Sequence, residues 1–166
     1  GSAGVELNIS GGEVHVNADG DGLDSNGNLT ISGGMIYISG PTSNGDGALD
    51  FDGTGTVTGG TILAIGSSGM TQNFTVAEQG AILVNVGSQA AGTEIVLTDS
   101  DGIILFSWTT DKAYTAVNLS TPDILDGGTY TLTAGTYTQT IAMEGMIYGQ
   151  SAGFGGMGGP GGRGGF

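Results

Sequence analysis

The chain has 166 residues, 36 of them glycine and only 3 proline, with no strict Gly-X-Y period, so collagen is excluded and many tight turns are implied. Asp and Glu total 16 against two cations, Lys112 and Arg163, and the formal net charge of -14 leaves too little positive surface to bind nucleic acid. Cysteine is absent, which removes disulfide frameworks and thiolate metal sites, and no apolar run approaches the roughly 18 residues of a membrane-spanning helix, so no membrane insertion is expected.

Residues 1–4 read as a processed or cloning-derived start. From residue 5 the sequence repeats itself. Leu7-Asn-Ile-Ser-Gly-Gly12-Glu-Val-His-Val16 returns as Leu29-Thr-Ile-Ser-Gly-Gly34-Met-Ile-Tyr-Ile38. A third copy follows as Gly55-Thr-Val-Thr-Gly-Gly60-Thr-Ile-Leu-Ala-Ile65, and a degenerate fourth spans Gln79 to Val86. The period is about two dozen residues, the range of solenoid repeats. Each copy holds two short alternating stretches on either side of a Gly pair, which predicts two strands meeting at a corner. The leucine-rich repeat has a similar length, but its Leu-x-x-Leu-x-Leu frame is missing.

The pattern predicts an all-β chain. Residues 5–91 form a right-handed parallel β-helix of about three to four coils, each about 4.8 Å above the last. Ile9, Ile31 and Val57 should stack as one apolar ladder, and Val16, Ile38 and Ile65 as another. Across residues 92–145 the runs lengthen and are joined by short turns such as Asp99-Ser-Asp-Gly102, predicting antiparallel hairpins packed on the helix as a cap over its open end. Residues 146–166 end in a Gly-rich tail; on composition it is a flexible linker, while Phe154, Met157 and Phe166 are the residues with which it would anchor to this or a neighbouring molecule.

Chemistry concentrates in two Asp/Asn/Gly corners, residues 17–27 and 44–53. Aligned, they set Asp21 near Asp46, Asp24 over Asp50 and Asn26 over Asp52, with Asp19 and Asn44 at their starts. Carboxylates one rung apart repel unless a cation lies between them, and Ca²⁺, with oxygens at about 2.3–2.6 Å on either side, spans that gap. The plainer reading is that Asp-Gly and Asn-Gly simply make turns; three acidic or amide residues per corner, in two registered copies, are more than a turn needs. The spacing of Asp19, Asp21 and Asp24 has the look of an EF-hand start, but the twelfth position is Thr30 where a bidentate Glu is required. Zinc is disfavoured because His15 is the only histidine, and that residue is expected on a solvent-facing strand.

Aromatic residues supply the second set of candidates. Tyr37 alternates outward from its strand and could meet a glycan. Trp108 and Tyr114 are further candidates for stacking on sugar, although Trp108 shares alternation with Ile104 and Phe106, which favours a buried face.

The run Asn17-Ala-Asp-Gly-Asp-Gly-Leu-Asp-Ser-Asn-Gly27, then Leu29-Thr-Ile-Ser-Gly-Gly34, Tyr37-Ile-Ser-Gly-Pro-Thr42 and Gly45-Asp-Gly-Ala-Leu-Asp-Phe-Asp52, resembles the bacterial calcium-dependent carbohydrate-binding domains of pectate-lyase-like β-helix fold. The resemblance is carried by residues 5–70, with a further likeness around Thr121-Pro-Asp123 and Gly128-Thr-Tyr-Thr-Leu132. It implies a non-catalytic, calcium-binding module at the cell surface or outside the cell that binds pectin- or cellulose-like polysaccharide. The chain departs from that family in starting directly on a coil and ending in the Gly-rich tail. An alternative use of the same coils is a self-assembling subunit of a calcium-stabilised extracellular filament, whose partner is another copy of itself. A lyase would need a positioned Arg or Lys base, and a pectin-degrading glycosidase would need a carboxyl of raised pKa among acids already committed as ligands.

Overall fold

The computed structural model describes residues 4–151, and the anchors expected in the tail, Phe154, Met157 and Phe166, lie outside the described residues, as do residues 1–3. The described chain is all-β. In order its strands are β1 (Glu6–Asn17), β2 (Leu23–Ser25), β3 (Asn28–Ser39), β4 (Leu49–Phe51), β5 (Gly55–Gly66), β6 (Val76–Ala77), β7 (Ala81–Gln89), β8 (Glu94–Asp99), β9 (Ile104–Thr109), β10 (Tyr114–Ser120), β11 (Thr129–Ala134), β12 (Tyr137–Ala142) and β13 (Ile147–Tyr148).

The three clear repeats pair side by side in parallel as β1, β3 and β5. Their registers put Ile9 against Ile31 and Ile31 against Val57, the first expected ladder. The second ladder runs Val16, Ile38, Ala64, one residue short of the expected Ile65, which lies beside Ser39. The reason lies in the Gly pair. Gly12, Gly34 and Gly60 all take positive φ, and pairing is interrupted there in every copy, so register is counted from the glycines. Val16, Ile38 and Ala64 each follow that glycine by the same interval.

Between the long strands, β2 and β4 form a separate parallel pair, matching Leu23 to Leu49, Asp24 to Asp50 and Ser25 to Phe51. Period-two alternation turns Leu23, Leu49 and Phe51 inward and leaves the two Asp side chains outward. The inward set packs with Leu29, Ile31, Ile36, Ile38 and Phe74 in one core cluster.

The expected stack of three to four β-helix coils over residues 5–91 is not shown, because beyond β5 the repeats no longer pair in parallel with one another. The main sheet runs β1-β3-β5-β10-β7-β13, with β6 beside β5, so the fourth repeat copy, β7, does not sit on the third. β10 is inserted between them, antiparallel to both, with Val117 against Ile65 on one side and Val84 on the other. The hairpin region expected as a separate cap thus contributes one strand to the main sheet. Its other strands form a four-stranded antiparallel sheet, β12-β11-β8-β9. This sheet closes a second core around Ile95, Leu97, Phe106, Leu132 and Ile141, which also takes in Tyr37, Leu63 and Ile65 from the main sheet. Strands β3 and β5 are consequently covered on both faces after their Gly pairs, as their near-continuous apolar runs suggest.

Candidate functional site

The corner after β1 and the corner after β3 are held in register by backbone hydrogen bonds, from Gly22 N to Gly47 O at 3.1 Å and from Leu23 N to Ala48 O at 3.0 Å. Glycine is required at the first of these positions, since a Cβ on Gly22 would stand 2.3 Å from Ala48 O. Asp24 therefore lies beside Asp50, as the alignment predicted. Asp21 turns inward to accept a hydrogen bond from Gly47 N at 2.8 Å, and Asn26 and Asp52 follow their strands on the exposed side.

Asp50 is the centre of this group. Its carboxyl is pushed above the usual carboxylate range, first by partial burial and then by the negative charges of Asp21, Asp24, Asp52 and Asp46. Two members of the expected ligand set are engaged elsewhere. Asp19 faces Lys112 Nζ at 2.9 Å, and Asn44 Oδ1 accepts a hydrogen bond from Ser67 Oγ. Among the described residues no three acidic or histidine side chains converge closely enough to hold one ion as they stand. The donor set is nevertheless the hard, all-oxygen kind that suits Ca²⁺ and not Zn²⁺.

Next to the first corner is an aromatic cleft. Registered pairing of β1 with β3 puts His15 beside Tyr37, with rings stacked at 5.1 Å. Trp108, from β9 of the second sheet, stacks on Tyr37 at 4.0 Å with an interplanar angle of 18° and lies 5.9 Å from the His15 ring, so the three rings form one cluster. Tyr37 does point away from the first core, as alternation requires, yet it is only 9 % exposed because the second sheet covers that face. Together with Val16, Asn17, Ser39 and Asp111 the three rings line a cleft of about 120 Å³. Glu13 holds His15 Nε2 at 2.7 Å, and Asp111 accepts hydrogen bonds from Ser39 Oγ and, at 3.5 Å, from Asn17 Nδ2. Lys112 also bonds Ala18 O at 2.7 Å and Asn17 Oδ1 at 3.2 Å, so the turn carrying Asp111 and Lys112 straps the second sheet to the first corner. His15, Ser39 and Asp111 are not legible as one group in the sequence; only the repeat register, which sets His15 over Tyr37, carries a signal for part of it.

The third glycan candidate lies elsewhere. Tyr114 is 3 % exposed, sits in the second core, and has a hydroxyl without a hydrogen-bond partner; burial pushes its pKa up to about 12. A ring so enclosed offers no face to a sugar. Replacing it by phenylalanine removes an unsatisfied polar group, so Tyr114→Phe is expected to keep or raise the thermal midpoint. A loss above about 1 kcal/mol in denaturant titration would mean that the hydroxyl is bonded after all.

No family model matches the chain, and neither curated proteins nor solved structures give a match.

Proposed function

We propose that this chain is a non-catalytic, calcium-binding module that acts outside the cell and binds acidic cell-wall polysaccharide, with β1 to β5 as the rungs of a short parallel β-helix. The observation that carries the reading is the pairing of Asp24 with Asp50, whose carboxyl pKa is raised first by partial burial and then by the charges of Asp21, Asp24, Asp52 and Asp46 around it. Asp21, Asp24, Asp46, Asp50 and Asp52 would hold Ca²⁺, and the ion would supply a positive centre able to attract uronate carboxylates on a chain of net charge -14.

The cleft beside it supports a sugar-binding role. Trp108, half-buried and backed by Tyr37, offers apolar ring surface, and Asn17, Ser39 and Asp111 offer hydrogen-bonding groups around it. The test is affinity electrophoresis or calorimetry with polygalacturonate. Binding should be measurable in calcium, lost in chelator, and weakened at least about tenfold by Trp108→Ala, the cost of removing one aromatic anchor. Undiminished binding in chelator would remove calcium from the reading. Undiminished binding by the Trp108 variant would remove the cleft.

A second reading, a self-assembling, calcium-stabilised subunit, would need another contact besides the outer edge of β1, which pairs with no strand among the described residues. Long fibres seen by electron microscopy in calcium, and dispersed by chelator, would select it.

A further inference from the structure

We infer that the open edge of β1 is a twofold docking surface for a second copy of this chain, so that two molecules meet rung to rung in a closed pair. The edge is incomplete. Leu7, Ile9, Val14 and Val16 are half-buried, whereas their counterparts one rung along, Leu29, Ile31, Ile36 and Ile38, are at most 1 % exposed. Covering β1 with one more strand would give its apolar residues the burial β3 already has, and satisfy the outward-facing amide and carbonyl groups of the edge.

A second β1 fits that requirement because the strand is self-complementary about its middle. Pairing is interrupted at Gly11 and Gly12, and the inward positions change parity there: Leu7 and Ile9 before, Val14 and Val16 after. An antiparallel copy related by a twofold axis through the Gly pair sets Ile9 against Val14 and Leu7 against Val16, inward against inward. Any displacement by a single residue would oppose apolar to outward positions.

The outward positions agree with the same axis. Asn8 meets His15, Glu6 meets Asn17, and Ser10 meets Glu13, so no carboxylate faces a carboxylate on a strand that carries two. For a protein of this net charge, an edge with that property is a selective place for like copies to touch. A twofold contact is also closed, using the same patch on both partners, and does not propagate into a filament.

Sedimentation equilibrium of the full chain over a range of concentrations tests this. A monomer–dimer equilibrium is expected. Ser10→Glu, which brings a carboxylate opposite Glu13 twice per dimer, should weaken it about tenfold or more, and Ser10→Lys should strengthen it. Ser10 is exposed and its side chain makes no hydrogen bond in the described structure, so both variants should keep the parent's thermal midpoint at concentrations where all three are monomeric. Three results would overturn the inference: a monomer at every concentration, equal responses to the two charges, or growth beyond dimers. Loss of dimers on deleting residues 152–166 would also overturn it, since the tail would then be the occupant of the edge. The proposal stands on β1 alone, and glycan binding by monomers would leave it untouched.

Discussion

Saturating calcium should raise the thermal midpoint of this protein by roughly 5–10 °C over a chelated sample, the response to about 2.7 kcal/mol of ligand stabilisation at a hundredfold excess over Kd in a domain of this size. The more decisive result is a change of sign at Asp50. Without metal its carboxylate is a liability, lying partly buried among Asp21, Asp24, Asp52 and Asp46, so Asp50→Asn should raise the midpoint of the chelated protein. With calcium the same substitution removes a ligand and should lower it. Scanning calorimetry of parent and variant under both conditions gives four midpoints. If Asp50→Asn moves both conditions in one direction, the acidic corner is a turn and not a metal site.

A pH series tests the same group independently. The Asp50 pKa is higher in the folded chain than its ordinary 3.8. Its protonation therefore favours the folded state: that contribution is complete below the ordinary value and is lost as pH rises through the raised one. The metal-free protein should accordingly gain stability from this group as the medium is acidified from neutrality toward the carboxylate range. In calcium the trend should reverse, because protons compete with the ion for the same oxygens. Parallel pH profiles with and without calcium would count against the site.

The second large effect is expected from the corner glycines, and it should depend on the rung. A Cβ on Gly60, at φ 88°, would stand 2.8 Å from Gly34 O and 2.9 Å from Gly33 C. Gly60→Ala thus combines left-handed backbone strain with a backbone clash, together about 2–5 kcal/mol. Gly12 has the same conformation, φ 84°, but nothing lies within 4 Å of its added Cβ, so Gly12→Ala should cost only the strain, about 1–2 kcal/mol. Gly11→Ala, with neither constraint, should be neutral or slightly stabilising. Urea titration of the three variants should return that order, and equal losses would show that the glycines are not acting as stacked corners.

The repeat makes the first three long strands legible, because parallel pairing one period apart writes the same inward and outward positions into each copy. That is why Ile9, Ile31 and Val57, and Asp24 with Asp50, can be matched from repeat spacing alone. Where expectation and fold part, a different kind of information is needed. Ile65 matches the second ladder by side-chain type, whereas the interval from the Gly pair selects Ala64. Alternation correctly turns Tyr37 away from the first core, but it says nothing about what covers the other face, and Trp108 arrives there from far along the chain. Trp108 does share its face with Phe106, opposite Ile95 and Leu97 on the second core, as alternation implies, but Ile104 does not, since the register shift between Leu97 and Thr98 leaves it 61 % exposed. The insertion of β10 leaves no mark in the sequence, because an antiparallel strand paired with two distant partners has no repeat to betray it. Asp19 likewise has the spacing of a ligand, but its carboxylate is taken by Lys112, a cation more than ninety residues away whose approach no local pattern announces.

The insertion of β10 bears on the order in which the chain is made. β5 and β7 are complete early in synthesis, yet the strand that joins them, Tyr114–Ser120, emerges only after β8 and β9. Until it arrives, Ile62 to Ile65 and Ala81 to Val84 present open edges rich in β-branched and aliphatic residues, the sort that pair with the wrong neighbour. A nascent chain is therefore vulnerable over the middle third of its length, and β10 acts as the late closing piece that covers both of these edges.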